Sequence, residues 1–260
     1  MTSGFAPVRF DAPLVNPSPN GLFAVTTWST SEEGEPLRWL PAGIEIRSFN
    51  YGGAGAFGIW DADWCAAEGD LTEDDVKQGV RPTDLDAFTA GTVWSADECD
   101  LTAPSRAEVK VRAEQNLRLQ EQIAVESEFA TRVLADAGTP DTAADIVGAV
   151  ARLESLFAVA NTVGLIHASA VWAASAAQAN LIRFNGASMV TPLGHKWVFG
   201  GGYVDALDDK LVATSPTFGW RSPVVLRTAE KLEWNRFHAI AERSVLVGCE
   251  AVLGAVDVTG

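Results

Sequence analysis

The chain has 260 residues, and its 34 Asp and Glu outnumber 19 Lys and Arg to give a formal net charge of −15. With 47% hydrophobic and 20% charged residues, it has the composition of a folded soluble protein, long enough for one large domain or two small ones. The acidic balance excludes a protein whose main task is gripping nucleic acid, no apolar run approaches the ~20 residues of a membrane span, and the first residues lack the layout of a signal peptide.

The N-terminal forty residues read as an arm. Pro7, Pro13, Pro17, Pro19, Pro36 and Pro41 exclude long helices there. Residues 22–28 are predicted to form a strand. Phe5, Phe10, Leu14, Phe23 and Trp28 are expected to lie on another surface, in this subunit or a neighbour.

Residues 44–49 alternate with period 2 and read as a strand with one wet face. The run from Asn50 to Gly58 is a glycine-rich ribbon or loop. Trp60 and Trp64 follow, then a polar stretch from Gly69 to Pro82. Strand-like pieces surround Thr92, Val93 and Trp94.

Ser105 and Glu108 form a capping-box pattern, which predicts a helix over 106–137. Gly138 is placed to end it and Pro140 to block its continuation. Glu108–Arg112, Glu114–Arg118 and Glu128–Arg132 are i, i+4 pairs in the favourable order. Val109, Ala113 and Leu117 mark one apolar line; Leu119, Ile123, Ala130 and Val133 mark a second. At 1.5 Å per residue such a helix is roughly 48 Å long, a spine rather than filler.

A second helix is expected over 139–161, with Ile146, Val150, Leu153 and Phe157 at helical spacing. A short strand over 163–167 follows. Ser169 then caps a third, alanine-rich helix to Ile182, expected to be buried. Strands are predicted at 196–199, before the Gly200-Gly201-Gly202 turn, and at 211–214, 224–226, 239–247 and 249–258.

Little chemistry is signalled. Cys65, Cys99 and Cys249 contain no C-x-x-C pair and read as reduced thiols. Gly53, Gly55 and Gly58 match G-x-G-x-x-G, but no helix start follows and Asp61 and Asp63 would repel phosphate. Gly186 to Val190 lacks the closing glycine of a nucleophile elbow. His167, His195 and His238 are isolated in sequence. Glu73-Asp74-Asp75 lacks the other ligands of a calcium loop and reads as a solvated face. Nine Trp leave core packing and partner contact both open. No catalytic, cofactor-binding or metal-ligating residue is assigned, and no cofactor is expected.

The order of elements resembles the Hong Kong 97-type major capsid proteins of tailed bacteriophages, whose fold encapsulin shells share. The residues carrying the likeness are the 105–138 helix, the block Val190-Thr191-Pro192-Leu193-Gly194-His195-Lys196-Trp197, and the ending Asn235-Arg236-Phe237-His238-Ala239-Ile240-Ala241-Glu242-Arg243-Ser244-Val245-Leu246-Val247. These segments look like those of phages of actinobacteria. The resemblance implies an α+β fold with an N-terminal arm (1–41), an extension loop region (42–87), a peripheral domain with the spine helix (88–138), an axial domain (139–232) and strands returning to the peripheral domain (233–260). It implies a non-enzymatic major capsid protein that self-assembles into hexamers and pentamers of an icosahedral head shell. Such a protein is assembled in the host cytoplasm and resides in the virion capsid. Its partners would be a scaffolding protein, portal and decoration proteins, with packaged DNA near only non-specifically and no membrane.

Some relatives cross-link subunits through a Lys–Asn isopeptide bond. Lys77 lies in a loop before the spine, but neither the partner Asn nor the catalysing Glu can be matched, so that activity is not carried over. No helical charged segment precedes the arm, which implies a separate scaffold protein or a mature product. Two rival readings stand beside this one: an encapsulin-like compartment shell, and a soluble α/β enzyme using His195 with a nearby carboxylate as acid–base pair.

Overall fold

The computed structural model describes residues 10–29, 40–51, 53–75, 77–81 and 83–260. Phe5, Pro7, Pro36, Trp39, Gly52 and Pro82 therefore lie outside the described residues.

The arm leads into a four-residue helix α1 (Leu22–Val25) and a short strand β1 (Thr27–Trp28), where a single strand was expected over 22–28. The reason is tertiary. The Glu126 carboxylate accepts the Leu22 N–H at 2.9 Å, satisfying a helix-start donor that no neighbouring residue in sequence could reach. Thr26 Oγ1 closes the turn by donating to Leu22 O at 2.7 Å.

Residues 44–49 form no strand. Ile44 makes one isolated bridge to Phe88. The next amides turn instead to side chains: Ser48 N–H to Asp84, and Phe49 and Asn50 N–H to Glu250. The chain stays without long regular elements until β2 (Gly91–Cys99).

The spine is α2 (Ala103–Ala137), 35 residues and about 52 Å long at 1.5 Å per residue. It begins earlier than predicted. Thr102 is the extended cap residue and Pro104 sits in the first turn, where its missing N–H costs nothing. The capping box does not form: Ser105 lies inside the helix, buried and with its hydroxyl unpartnered. Gly138, at φ 72°, ends the helix as expected. Of the three expected charge pairs, Glu108–Arg112 is present at 3.7 Å, whereas Arg132 pairs with Asp136 and Arg118 bonds Asn16.

Next come β3 (Asp141–Ala143) and α3 (Ile146–Ala160). The helix starts later than predicted because Asp145 caps it, accepting Gly148 N–H at 2.8 Å, while residues 141–143 pair with a C-terminal strand. Then follow β4 (Leu165–Ser169) and α4 (Trp172–Gln178). Ser169 belongs to the strand rather than to the helix cap. The alanine-rich helix is short and only its Ala176 is buried, so the expected burial is wrong: small side chains do not by themselves mark an inside helix.

A hairpin, β5 (Arg183–Asn185) and β6 (Ser188–Val190), precedes β7 (Lys196–Gly200), the one-turn α5 (Tyr203–Ala206) and β8 (Lys210–Thr214). The chain ends with β9 (Thr217–Arg221), β10 (Val225–Lys231), β11 (Arg236–Cys249) and β12 (Val252–Val258). Gly248 does not interrupt the 14-residue β11.

Two sheets result. In the first, the order is β1-β9-β11-β10, with β2 also pairing β11. In the second, the order is β3-β12-β8-β4-β7-β6-β5. The spine serves both. Val109, Ala113 and Leu117 from its first half cover Phe237, Ala239 and Ala241 of β11. Val125, Phe129, Ala130 and Val133 from its second half enter a core shared by Leu22, Tyr203, Val212 and Val245. A separate core joins α3, through Leu153 and Phe157, to Ile166, Trp197 and Leu211. Of the second expected apolar line, Ala130 and Val133 are buried but Ile123 is exposed.

Candidate assembly surfaces

The inner arm is held by its own spine helix. Gln115 Nε2 donates to Val15 O at 2.7 Å, Arg118 bonds the Asn16 side chain, and Gln122 Nε2 donates to Asn20 O at 2.8 Å. These spine residues, continued by Glu126, are spaced three and four apart and so share one helix face. The open question of where the arm lies is answered for this stretch: it lies on its own subunit. Farther out, Phe10, Leu14 and Val15 remain exposed. Trp28 packs edge-on against Phe23, with the Arg221 guanidinium 4.5 Å above its ring.

The region 42–87 is the opposite case. Its polar anchor is Glu250, in the turn between β11 and β12. That carboxylate accepts the Phe49 and Asn50 N–H groups and Asn50 Nδ2, the last at 2.7 Å. Burial pushes the Glu250 carboxyl up, but the Asn50 side chain and the two amides outweigh it and hold it below its ordinary value. Beyond this anchor large apolar side chains stand in solvent: Phe57, Ile59 at 88% exposure, and Trp64 fully exposed. Trp60 is partly covered by Lys77, whose ammonium sits 4.2 Å from the ring centre. Beside the loop base is a groove of about 720 Å³, lined by Tyr51, Phe57, Leu85, Leu156, Val159 and Leu253.

A third exposed surface is the face of the first sheet turned away from the spine. Side chains alternate along a strand. Val93 packs toward the helix, so its neighbour Trp94 faces out, 64% exposed, next to Ile240. Leu232 and Trp234 are exposed at the β10–β11 turn.

The sequence-stated chemical candidates fall apart in space. Gly53–Ala56 is a 3-10 turn and the chain then runs irregularly, so no helix end faces the glycines. Gly186 turns the β5–β6 hairpin at φ 61°. Asp75 caps its own turn, accepting from Thr72 N and Oγ1, and those bonds lower its pKa. Among the described residues no group of three or more His, Cys, Asp and Glu could hold a metal ion.

His195 and His167 are packing groups. His195 is buried and stacked on Phe157 at 4.1 Å, and its Nδ1 accepts Gly164 N–H at 3.4 Å. Burial lowers its pKa, with Glu154 pulling the other way. Glu154 is occupied by the Leu193 N–H. His167 is fully buried between Tyr203 Oη at 3.0 Å and Thr214 Oγ1 at 2.8 Å. Burial drives it down to about 3, so it is neutral. His238 pairs with Glu98 across β11 and β2 at 3.0 Å. Sequence reasoning missed Glu121, Glu126 and Glu250, each buried; a lone Glu in a helix or turn carries no local mark of burial.

No family model matches this chain, and no curated protein matches it. Solved structures do. A chain titled as the capsid of an empty GTA particle superposes with TM-score 0.55 at 8% identity, covering 99% of this chain and 96% of that one. A chain of the mature capsid of bacteriophage PhiM1 gives TM-score 0.51 at 14% identity, with 100% and 92% coverage. The capsid chain of Ralstonia phage GP4 gives 0.51 at 11% identity, with 100% and 98% coverage. This protein has the Hong Kong 97-type capsid fold. Within the Hong Kong 97-type fold, the 35-residue α2 is the spine helix.

Proposed function

We propose that this chain is the major capsid protein of a tailed bacteriophage, the subunit that self-assembles into an icosahedral head shell. The observation that carries the reading is the 42–87 loop. It holds Ile59 and Trp64 in water on a segment with little sheet pairing of its own, an arrangement stable only when another surface covers it. The full-length likeness to capsid chains supports sister subunits as that surface.

In this reading, 1–41 is the arm, 42–87 the extension loop, 88–138 the peripheral domain with its spine, 139–232 the axial domain and 233–260 the returning strands. Subunits form hexamers and pentamers, with scaffolding, portal and decoration proteins as further partners. The protein resides in the virion capsid after assembly in the host cytoplasm. Its role is structural: the surroundings of His195 suit packing and not acid–base exchange. The segments around Val190–Trp197 and Asn235–Val247 support an actinobacterial host. Weak contacts repeated by symmetry add up, so no single pair of subunits needs high affinity.

Negative-stain microscopy and sedimentation of the expressed chain, alone and with the scaffolding protein of its phage, test this. Closed particles are expected. A monomer under every assembly condition overturns it.

A further inference from the structure

Glu126 stands apart from every surface above. Its side chain is fully buried on the spine, and among the described residues no ion pair reaches it. Its partners are backbone amides: Leu22 N–H donates to Oε1 and Gly202 N–H to Oε2, both at 2.9 Å. Three glycines make the space. A Cβ on Gly21 would lie 2.3 Å from Oε1, and one on Gly200 2.6 Å from the carboxylate carbon. One on Gly202 would lie 2.7 Å from Glu126 Cβ. One carboxylate therefore joins three pieces of chain: the arm at Gly21 and Leu22, the spine, and the turn between β7 and α5.

The groups around it do not offset its charge. Helix α1 contains no titratable residue. From α5 comes the Tyr203 phenol, raised well above its ordinary value by burial, then by Glu126 and Cys249. From β4, His167 bonds Tyr203 and Thr214, not Glu126, and is neutral. On α2 itself, Gln122 is uncharged and Glu121 is taken up by Arg243. A buried charge without a counter-ion favours taking up a proton. Desolvation accordingly raises the Glu126 carboxyl, offset in part by the Leu22 and Gly202 amides.

We propose that Glu126 is a proton-operated latch: protonation secures residues 15–28 on their own spine helix, and ionisation loosens them. The direction follows from linkage. The docked state holds the proton more tightly than a state in which the arm has lifted and the carboxylate meets water. Acid therefore favours docking and rising pH favours release. The distal ladder from Gln115, Arg118 and Gln122 is solvent-exposed and each such bond is weak; Leu22 in the core and the pairing of β1 with β9 hold the base of the arm without a titrating group, so the Glu126 contact sets the pH-dependent part of docking. This goes beyond the shell reading and does not depend on it, because it concerns a single subunit.

The test is hydrogen exchange of the full-length unassembled chain between pH 5 and 8, corrected for intrinsic rates. It follows a peptide spanning residues 15–28, with α3 as reference. Wild-type arm protection is expected to fall at least about threefold as pH rises, relative to α3. Glu126→Gln is expected to abolish that slope and to keep the arm protected at pH 8. Wild-type protection that is flat or rises with pH overturns the latch, as does a Glu126→Gln variant that retains the wild-type slope. Should Glu126→Gln not fold, Gly21→Ala substitutes for it. Gly21 sits at φ 101°, where a side chain is strained, and its Cβ would stand 2.3 Å from the buried Glu126 Oε1, which loosens the arm while the carboxylate remains. Arm protection is then expected to be low at every pH, and a surviving wild-type slope overturns the proposal.

Discussion

Arg243 on β11 grips Glu121 on the spine through two guanidinium nitrogens, Nε lying 2.6 Å from Oε1, and the Glu121 side chain is 4% exposed. The pair ties the spine to the strand on which β2, β9 and β10 all pair. Arg221 stands close enough for Arg243 to lower its pKa, after burial, with Glu121 acting in the opposite sense. Removing Glu121 leaves two cations facing each other in a confined space. Glu121→Ala is expected to destabilise the unassembled chain by about 3 kcal/mol or more, read from denaturant midpoints. Glu121→Met with Arg243→Leu is expected to recover most of that loss. A single variant within 0.5 kcal/mol of wild type (roughly the error of such data) refutes the assignment.

The start of the spine makes the opposite kind of prediction. The Ser105 hydroxyl is buried without a partner, so Ser105→Ala is expected to be neutral or stabilising by about 1 kcal/mol or less. Glu108 meets Arg112 only at 3.7 Å on an exposed face, so Glu108→Ala is expected to leave the thermal midpoint unchanged. A clear loss in both variants would restore the capping box that the structure lacks.

Acid sensitivity should trace to His167. In the unfolded chain a histidine takes its proton near pH ~6.5, whereas the native group resists down to about 3. Its folded pKa is depressed, so its contribution to stability is complete above the unfolded value and is lost as pH falls from there toward 3. The expected loss is about 1.4 kcal/mol per pH unit for such a group. His195, also lowered, adds in the same sense, and Glu126, raised, opposes. Denaturant unfolding at pH 6, 5 and 4 should show this slope, and His167→Gln should remove about one histidine's share. An unchanged slope in that variant contradicts the burial of a neutral ring.

Trp64 is fully exposed in the single subunit. Trp64→Ala is expected to leave the unfolding midpoint of the unassembled chain within error while lowering the melting temperature or yield of particles. Differential scanning calorimetry of both species separates the two effects. Equal losses in both would mean that the loop packs on its own subunit.

The spine was legible because 106–137 contains neither Gly nor Pro and ends on a glycine whose observed φ is 72°. Its first line matched burial position by position, whereas of its second line Ala130 and Val133 are buried and Ile123 is exposed. The hairpin of β5 and β6 and the strand β9 passed unseen, since Arg183–Asn185 and Thr217–Arg221 are short and carry no clean alternation. The assembly surfaces were half legible. Trp60 and Trp64 stood out as large residues in a loop-like stretch, but the docking of residues 15–22 on their own spine did not.

Local rules sufficed where spacing along a single element sets which side chains share a face: the Val109, Ala113 and Leu117 line of the spine and the Ile146, Val150, Leu153 and Phe157 face of α3. Tertiary structure alone decided the rest. The Leu22 amide is capped from 104 residues away by Glu126, and the Phe49 amide is held from 201 residues away by Glu250. A backbone donor needs an acceptor wherever it ends up, and only the folded chain brings those carboxylates within reach.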